Sequence, residues 1–349
     1  MTEPDPPRRG NGDEPGSRAA NIFDVARLAG VSHQTVSRVL NDLPNVRPAT
    51  RARVEQAIVQ LRYSPSPAAR ALVTRRTRTI GLITPGTSDY GPASITMHFN
   101  LAARAARYSV DAVTLLDPEP SGVRAVVEGL LRQRVDAIVL VVDDMTVLDV
   151  VRGLDIGIPF VAVAASARRG PALVSIDQYR GARAAVRHLV ELGHSRILHV
   201  AGPTRAPDGI ERARGWSDEL AANRLEASEP EHGDWSPASG YDIGRRMALG
   251  DATAIFVAND HMAIGVLSAL RERELRVPDD MSIVGFDDLP EAGFLHPPLT
   301  TVRQDFAALG ALIMQKVLLA IEEPETATES TPLPTTLVLR ASSKPPARR

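Results

Sequence analysis

The stretch DVARLAGVSHQTVSRVLN, residues 24–41, decides the fold of the N-terminal part of this chain. Small residues occupy Ala26, Ala29 and Gly30, where two helices can cross closely, and aliphatic residues recur on either side at helical spacing. The pattern predicts two short helices joined by a sharp turn. The aliphatic residues expected to form their shared core are Val25, Val31, Val36, Val39 and Leu40.

The second of these helices has polar side chains on the face that is left over. Ser32 is suited to cap its N-terminus, which would bring free backbone amides close to a DNA phosphate. Gln34 and Arg38 stand one helical turn apart, and their side chains suit bidentate contacts with adenine and guanine. Taken alone, the stretch is also compatible with an ordinary helical hairpin that has a solvated face.

The residues that follow favour a DNA-binding unit. A third helix is predicted from Pro48 to about Leu61, with Val54, Ile58 and Leu61 facing inward. In RYSPSPAARALVTRRT, residues 62–77, two Ser-Pro pairs interrupt regular structure before a short run of Ala, Arg and Leu. This composition is typical of a linker that folds only when it meets a partner.

Positive charge is concentrated in the same region. The whole chain has a formal charge of −2, but residues 20–78 hold ten Arg and no Lys against three acidic residues, which gives +7. Because arginine neutralises phosphates and releases counterions, nucleic-acid affinity is expected in this segment. A charge that coincides with the helical pattern is hard to attribute to solubility alone.

The helical stretch and the linker together resemble the DNA-binding headpiece and hinge of the lac repressor and galactose repressor family. In that family the second helix enters the major groove and the hinge helix lies in the minor groove. The resemblance implies base reading by His33, Gln34 and Arg38, and a wedge between base pairs at Leu72. It also implies phosphate contacts by Ser32, Thr35, Ser37, Asn41 and Tyr63. Arg47 departs from the family pattern, which usually has a small helix-capping residue there.

From residue 79 onward, short aliphatic runs alternate with amphipathic stretches. The runs RTIGLITP, DAVTLL, VDAIVLVV, IPFVAVAA, ILHVAG, AIFVAND and SIVGFDD predict buried strands, and the stretches at residues 95–108, 122–132 and 180–192 predict helices. Such alternation favours parallel sheets covered by helices, an α/β architecture. About seven strands favour two lobes over a single sheet.

The resemblance continues through this region and supplies its arrangement. It is carried by LVELGHSRILHVAGP, FVANDHMAIGVLSAL, VPDDMSIVGFDD and PPLTTVRQDFAALG, which lie at residues 189–203, 256–270, 277–288 and 297–310. The implied core is the two-lobed fold of periplasmic sugar-binding proteins, with three chain crossings, near residues 176–177, 302–306 and 331–333.

The expected organisation has five parts. Residues 1–20 are a disordered tail, 21–63 the helix-turn-helix headpiece and 64–78 the hinge helix and linker. Residues 79–340 are the effector-binding and dimerisation core, and 341–349 a second tail. Within the core, lobe one covers about 79–176 and 306–331, and lobe two covers about 177–302 and 333–340.

Polar residues directly after the predicted strands are candidates for a ligand site, because ligands of open α/β sheets bind beyond the carboxyl ends of the strands. An aromatic face together with an Arg, an Asn and a carboxylate would suit a polyol. The resemblance implies those roles for Trp235, Arg212, Asn259 and Asp287, with Gln304 and Phe306 completing the wall at a crossing.

Lobe one matches the sugar-binding pattern less well. Val141 and Ala164 stand where sugar-binding relatives place hydroxyl-reading Asn and Asp. The wall on this side is therefore expected to be more apolar, unless Asp89, Tyr90 or Asp143 reach inward. A glycoside or short oligosaccharide fits these expectations better than a purine or an amino acid.

Other classes of protein explain less of the sequence. The G-x-S-x-G, GxxxxGK[ST], GxGxxG and HExxH motifs are absent and there is no cysteine, so we expect no enzyme activity, no metal and no cofactor. A solute-binding protein for sugar uptake would need a secretory signal, and an architectural DNA-binding protein would lack the core. A regulator that uses a nucleobase-like corepressor stays open.

The sequence thus predicts a ligand-responsive repressor. No apolar run reaches membrane-spanning length and the first twenty residues contain no hydrophobic signal, so we expect it in the cytoplasm, associated with the nucleoid. One headpiece reads too few base pairs for specificity, which favours a homodimer on a palindromic operator. Its effector would alter the angle between the lobes and thereby the folding of the hinge.

Overall fold

The computed structural model describes residues 20–40, 44–63, 76–87, 89–164, 173–323 and 331–347. It divides into two compact units, residues 1–77 and residues 78–349. Two residues predicted to touch DNA, Asn41 and Leu72, lie outside the described residues, as do the predicted N-terminal tail and most of the predicted hinge.

The first unit contains three helices: α1 (Ile22–Ala29), α2 (His33–Leu40) and α3 (Pro48–Gln60). Asn21 caps α1, since its side chain accepts hydrogen bonds from the amides of Phe23 and Asp24. Gly30 ends the helix in the left-handed conformation, at φ +65°, which a side chain would disfavour. Arg47 precedes α3 and makes no capping hydrogen bond, as the departure from the family pattern predicts.

The three helices enclose a small core. Val25, Val36 and Val54 are completely buried, and Val39 is nearly so. Four other residues that were predicted to face inward pack against this core but are only half-buried: Val31, Leu40, Ile58 and Leu61. A unit of three short helices is too small to bury more side chains completely.

Lobe one of the second unit is built on a parallel sheet in the order β2-β1-β3-β4-β5. Its strands are β1 (Thr79–Pro85), β2 (Ser109–Leu115), β3 (Ala137–Val141), β4 (Phe160–Val163) and β5 (Leu173–Val174). Its helices are α4 (Tyr90–Ala105), α5 (Pro120–Arg132), α6 (Met145–Arg152) and, from much later in the chain, α11 (Phe306–Glu322). Helices α4 and α11 pack together on the core that contains Phe99 and Ile313.

Lobe two has a sheet in the order β11-β10-β9-β8-β6-β7, in which β11 alone is antiparallel. Its strands are β6 (Ile197–Ala201), β7 (Glu231–His232), β8 (Ala254–Val257), β9 (Ser282–Asp287), β10 (Thr300–Arg303) and β11 (Thr336–Val338). The helices α7 (Gln178–Glu191), α8 (Pro207–Ala222), α9 (Pro237–Arg246) and α10 (Asp260–Glu272) cover it.

The predicted fold class is confirmed: a helix-turn-helix unit is joined to parallel sheets flanked by helices. All seven predicted strands are present. Strands β5, β7 and β11 were not predicted, because two or three residues are too few for a hydrophobic period to show, and β10 was not predicted because TTVR contains a single aliphatic residue. Helix α4 begins earlier than expected, since Pro92 is tolerated in its first turn.

The chain passes between the two sheets at three places. Residues 175–177 lead from β5 to α7, and residues 304–305 lead from β10 back to α11. On the third passage Leu333 runs parallel to Ile176. The backbone amide of Asp177 donates to the carbonyl of Leu333 at 2.8 Å, and the amide of Leu333 donates to Ser175 at 2.9 Å. The first and third passages therefore form one hydrogen-bonded pair.

The C-terminal segment differs from the tail expected at residues 341–349. Ser342 is completely buried, and its hydroxyl donates to the carbonyl of Ile283 at 2.7 Å and accepts from the amide of Thr300 at 2.8 Å. A serine can satisfy the backbone groups of two neighbouring strands in this way. The Pro- and Arg-rich composition indicated a tail, but residues 341–344 are part of lobe two.

None of the helices among the described residues is both long and apolar enough to cross a lipid bilayer.

Helices α9 and α10 cross at glycines, and this crossing yields a stability prediction. A Cβ atom at Gly265 would overlap the carbonyl oxygen of Pro237 and the amide of Tyr241, so Gly265→Ala should force the helices apart. We expect the free energy of unfolding to fall by about 1 to 3 kcal/mol. Denaturant unfolding would measure the change.

Gly129→Ala in α5 is the matched control. Its nearest neighbour would be the end of the Arg132 side chain at 3.8 Å, so this substitution should be neutral or stabilise the fold by up to about 1 kcal/mol. Equal stability of the two variants would contradict the proposed close crossing.

Candidate functional sites

The exposed face of α2 is the candidate nucleic-acid surface of the first unit. Ser32, His33, Gln34 and Arg38 are exposed, whereas Thr35 and Ser37 are half-buried. The Ser32 hydroxyl accepts from the backbone amide of Thr35 at 3.2 Å and lies 3.0 Å from the Thr35 hydroxyl. The predicted cap of this helix is thus present.

Two further side chains are fixed against this unit. The ring of His33 lies 5.2 Å from that of Phe23, and Phe23 itself is 59% exposed, so α1 adds an aromatic ring beside the α2 face. Tyr63 is half-buried and packs against the three-helix core. The position of Phe23 was not anticipated, since its contact depends on how α1 and α2 cross.

A cleft between the two lobes is the candidate ligand site of the second unit. Including its open mouth, it contains about 810 Å³ of space between the lobes. The structure places all six predicted ligand residues along it: Arg212, Trp235, Asn259, Asp287, Gln304 and Phe306. Five of them follow a strand or lie in the helix after it, so the common edge of the parallel strands brings them together.

A closed ring of polar side chains forms the floor of the cleft. The Arg212 Nε donates to Gln178 Oε1 at 3.0 Å, and Gln178 Nε2 donates to Gln304 Oε1 at 2.8 Å. Gln304 Nε2 then donates to Asp287 Oδ1 at 2.7 Å, and the Asp287 carboxylate lies 3.5 Å from Arg212 Nη2. All four side chains are buried. The ring therefore joins the first crossing, at Gln178, to the second crossing, at Gln304.

Arg212 is held from several directions. Its Nη1 donates to the carbonyl of Ala258 at 2.5 Å, and its guanidinium lies 3.9 Å from the centre of the Phe286 ring and 5.4 Å from that of Trp235. A guanidinium over an aromatic face is stabilised by the ring quadrupole. The position of this side chain is consequently fixed before any ligand arrives.

Asn259 and Trp235 are coupled to each other. The Asn259 carbonyl caps α10 by accepting from the amide of Met262 at 2.9 Å, and its amide donates to the carbonyl of Trp235 at 3.0 Å. Trp235 has φ +73° and lays its indole against Gly202, where a Cβ atom would overlap the ring. Asn259 thus orients the loop that presents the aromatic face.

The wall from lobe one is mixed rather than uniformly apolar. Val141 and Ala164 are buried and line the cleft, as do Asp89, Tyr90 and Asp143. The Tyr90 ring meets Phe306 edge-on at 5.7 Å, which links α4 to the start of α11. The three polar residues named as possible exceptions therefore do reach the cleft.

Two polar lining residues were missed by the sequence analysis. Gln178 begins α7 immediately after the first crossing, and Asp208 stands four residues before Arg212 in the first turn of α8. The i, i+4 spacing to Arg212 was a usable signal for Asp208. No sequence signal identified Gln178, because its contact with Gln304 depends on which chain crossings become neighbours in the folded protein.

An ion pair joins the lobes at the rim of the cleft. Arg205, which follows β6, lies 3.1 Å from the Asp144 carboxylate and donates to the Thr146 hydroxyl at 3.3 Å. Asp144 also caps α6 by accepting from the amide of Thr146 at 2.8 Å. With Arg205 70% exposed, this pair is worth little in stability, but it spans the mouth between lobe two and lobe one.

The histidines near the β6 turn make structural contacts. His199 is buried between the rings of Trp216 and Phe256, and burial lowers its pKa to about 4. His194 lies 2.7 Å from the Thr253 hydroxyl, and His188 lies 2.9 Å from that of Ser343. These interactions explain their positions without a ligand.

Two buried carboxyls beside the cleft have raised pKa values. Burial raises the pKa of Asp287 to about 6, although Arg212 and Gln304 act in the opposite direction. Burial and the nearby Asp287 raise the pKa of Asp260 to about 8. Asp260 is completely buried and hydrogen-bonds to the Thr301 hydroxyl at 2.6 Å and the Leu289 amide at 2.9 Å. Its neutral form supports the loop after β9.

Asp260→Asn should remove a pH dependence of stability. The carboxyl keeps a proton in the folded protein up to about pH 8 but loses it near 3.8 in the unfolded chain. The stabilisation is therefore complete below about pH 4 and is lost as the pH rises toward 8. Across this window, wild type should lose about 1.4 kcal/mol per pH unit relative to the variant.

Urea unfolding of both proteins at about pH 5.5 and about pH 7.5 would measure this difference. An asparagine can donate to Thr301 and accept from Leu289, so the fold should survive the change. If the free energies of unfolding of the two proteins fell equally between these pH values, Asp260 would not be the group that holds the proton.

Comparison with known proteins agrees with both units. Residues 21–66 match the model of the lacI family of bacterial regulatory proteins, and residues 186–343 match that of a periplasmic binding protein-like domain. The lactose operon repressor of Escherichia coli strain K12 is 34% identical over 337 residues, which cover 94% of this chain and 92% of that protein. The transcriptional repressor PurR of Haemophilus influenzae is 35% identical over 300 residues, covering 83% and 88%.

Solved structures of related proteins are also similar to this chain. The lac repressor dimer bound to operator and the anti-inducer ONPF has a TM-score of 0.81 to this chain at 32% identity, covering 94% of this chain and 100% of that one. A complex of the transcriptional regulator CelR with cellobiose has a TM-score of 0.69 at 30% identity, covering 93% and 100%. By its sequence identity over nearly the whole length of both chains, this chain belongs to the lacI family of bacterial regulatory proteins and is a DNA-binding transcriptional repressor.

Proposed function

We propose that this chain is a cytoplasmic, effector-controlled repressor whose affinity for a palindromic operator is set by a sugar-like molecule bound between the lobes. The observation that carries the proposal is the closed ring Arg212–Gln178–Gln304–Asp287 in the floor of the cleft. This ring connects a preformed polar site to two of the passages between the lobes. A ligand bound in the cleft therefore acts on the elements that set the angle between the lobes.

The DNA-binding half of the proposal rests on α2. Gln34 and Arg38 are exposed one turn apart, beside a capped helix N-terminus, in a segment of formal charge +7. We propose that these two residues and His33 read base edges, while Ser32, Thr35, Ser37, Asn41 and Tyr63 contact phosphates and Leu72 wedges into the minor groove. The lac repressor relative was solved on its operator.

A homodimer is part of the same proposal. Helix α4 exposes Met97 and Leu101 at 55% and 59%, one turn apart on lobe one. Apolar side chains at this spacing on a helix surface favour a protein contact, and two headpieces are needed to read a palindrome. The lac repressor relative was likewise solved as a dimer.

A sugar-like effector suits the lining of the cleft. Trp235 offers an aromatic face, and buried Arg212, Asp287 and Gln304 offer charged and amide groups for hydroxyls. The CelR relative was solved with cellobiose, a disaccharide. We propose a glycoside or a short oligosaccharide, since Val141, Val163 and Ala164 leave an apolar patch that a sugar ring covers with its C–H face.

Arg38→Ala tests base reading. Loss of a bidentate contact should weaken operator binding by about 1 to 3 kcal/mol per site and relax the preference at one base pair. Binding-site selection followed by affinity measurement would detect both effects. Arg27→Ala is the control, because Arg27 is an exposed arginine of α1 outside the α2 face. An unchanged selected motif for Arg38→Ala at wild-type affinity would contradict base reading.

Asp287→Ala tests the effector site. Removing a buried charge-assisted partner should cost about 1.5 to 3 kcal/mol of ligand binding, roughly a tenfold to hundredfold loss of affinity. Calorimetry with cellobiose, lactose and methyl glycosides would measure the loss, and operator affinity without ligand should stay near that of wild type. Asp242→Ala, exposed on α9 outside the cleft, is the control. Equal sugar affinity in all three proteins would refute the assignment.

A further inference from the structure

Negative charge dominates the lining of the cleft. Its acidic and basic lining residues are four carboxyl groups, those of Asp89, Asp143, Asp208 and Asp287, together with the guanidinium of Arg212. Asp89 and Asp143 come from lobe one, and Asp208 and Asp287 come from lobe two. The excess of acids is therefore shared by both walls of the site.

The single guanidinium does not balance this excess. Arg212 already donates to Gln178 and Ala258 and faces Asp287 at 3.5 Å, whereas its distance to the Asp208 carboxylate is 4.0 Å. Its charge is thus taken up mainly by Asp287. Asp89 and Asp143 face the cleft without a basic partner among the described residues, and Asp208 has only the longer contact with Arg212.

The carboxylates act on a common region of the cleft. Asp208 and Asp89, from opposite lobes, both raise the pKa of Asp287, and Asp89 also raises that of Asp143. Charges that influence each other across a cavity can be neutralised together by one cation placed among them.

Asp287 itself has an unused oxygen at the cleft. Its Oδ1 accepts from Gln304 and faces Arg212, whereas no hydrogen bond to its Oδ2 is found among the described residues and this oxygen is open to the cleft. A carboxylate oxygen in this position can accept a hydrogen bond from a ligand. A ligand that brings a charged donor to this point gains a charge-assisted bond.

We infer that the effector is a cationic carbohydrate, an amino sugar or an oligosaccharide of amino sugars, whose ammonium group lies among Asp89, Asp208 and Asp287. The inference rests on the proposed function, because it assumes the same cleft and the same sugar ring against Trp235. An ammonium group has three donors and forms strong charge-assisted bonds with carboxylates. The same carboxylates repel sugar phosphates and sugar acids, so these should bind more weakly than an amino sugar.

Matched disaccharides test the charge. The probes are the β-1,4-linked glucosamine disaccharide, cellobiose, which has hydroxyls in place of the amino groups, and the N,N′-diacetyl form, which has the nitrogen without the charge. Calorimetry with the full-length protein should show the glucosamine disaccharide binding about tenfold or more tighter than either neutral probe. Putrescine, a diamine without a sugar ring, shows whether positive charge alone is enough for binding.

Two variants locate the ammonium group. Asp208→Asn and Asp89→Asn keep the size of the side chain and remove its charge, and Asp89 makes no side-chain capping bond that the change would break. Each should reduce affinity for the glucosamine disaccharide by about fivefold to tenfold and change that for cellobiose by less than about threefold. Asp242→Asn, exposed on α9 and outside the cleft, should change neither.

The outcomes separate the two proposals. Binding of cellobiose at equal or higher affinity than the glucosamine disaccharide would overturn the cationic effector and leave the sugar-responsive repressor in place. A preference for the glucosamine disaccharide that both variants retain would overturn the placement among these carboxylates. Binding of putrescine alone, or of no carbohydrate, would overturn both proposals.

Discussion

The buried guanidinium of Arg212 is the constraint on which the rest of the cleft depends. A charge so far from solvent costs several kcal/mol unless it is paired and fully hydrogen-bonded. Gln178, Ala258 and Asp287 satisfy it, and the Phe286 ring lies against its face. Because Gln304 links Gln178 to Asp287, none of these groups can move alone without leaving a buried polar atom unpaired.

This constraint connects the ligand site to the arrangement of the lobes. Gln178 and Gln304 stand where the chain leaves one sheet and enters the other, and Leu333 pairs with Ile176 on the third passage. Tyr90 packs against the hydrophobic cores of both lobes, and Arg205 reaches Asp144 across the rim. Networks of this kind have few alternative arrangements, which favours discrete lobe angles over gradual ones. A site built on the passages is therefore well placed to control a repressor.

The walls of the cleft supply selectivity around that fixed floor. The apolar patch at Val141 and Ala164 and the indole of Trp235 suit the C–H faces of a ring, whereas the carboxylates at Asp89 and Asp208 suit donors, above all charged ones. The floor and the walls thus serve different purposes. The floor keeps the site preorganised, and the walls discriminate between ligands of similar size by their charge.

Local sequence patterns predicted most of the elements and most of the candidate site. The helices around Val25 and Val36 and the strand at residues 137–141 could be predicted because their hydrophobic residues recur with a local period. Such a period can be read from the sequence alone. The residues that follow strands, such as Asn259 and Asp287, could be named because parallel strands share an edge. Three features became known only from the tertiary structure. Ser342 is buried between strands, Gln178 closes the ring with Gln304, and four carboxylates line one cleft. These contacts join residues far apart in the chain, and no local pattern encodes which crossings and helix ends become neighbours once the hydrophobic cores are packed.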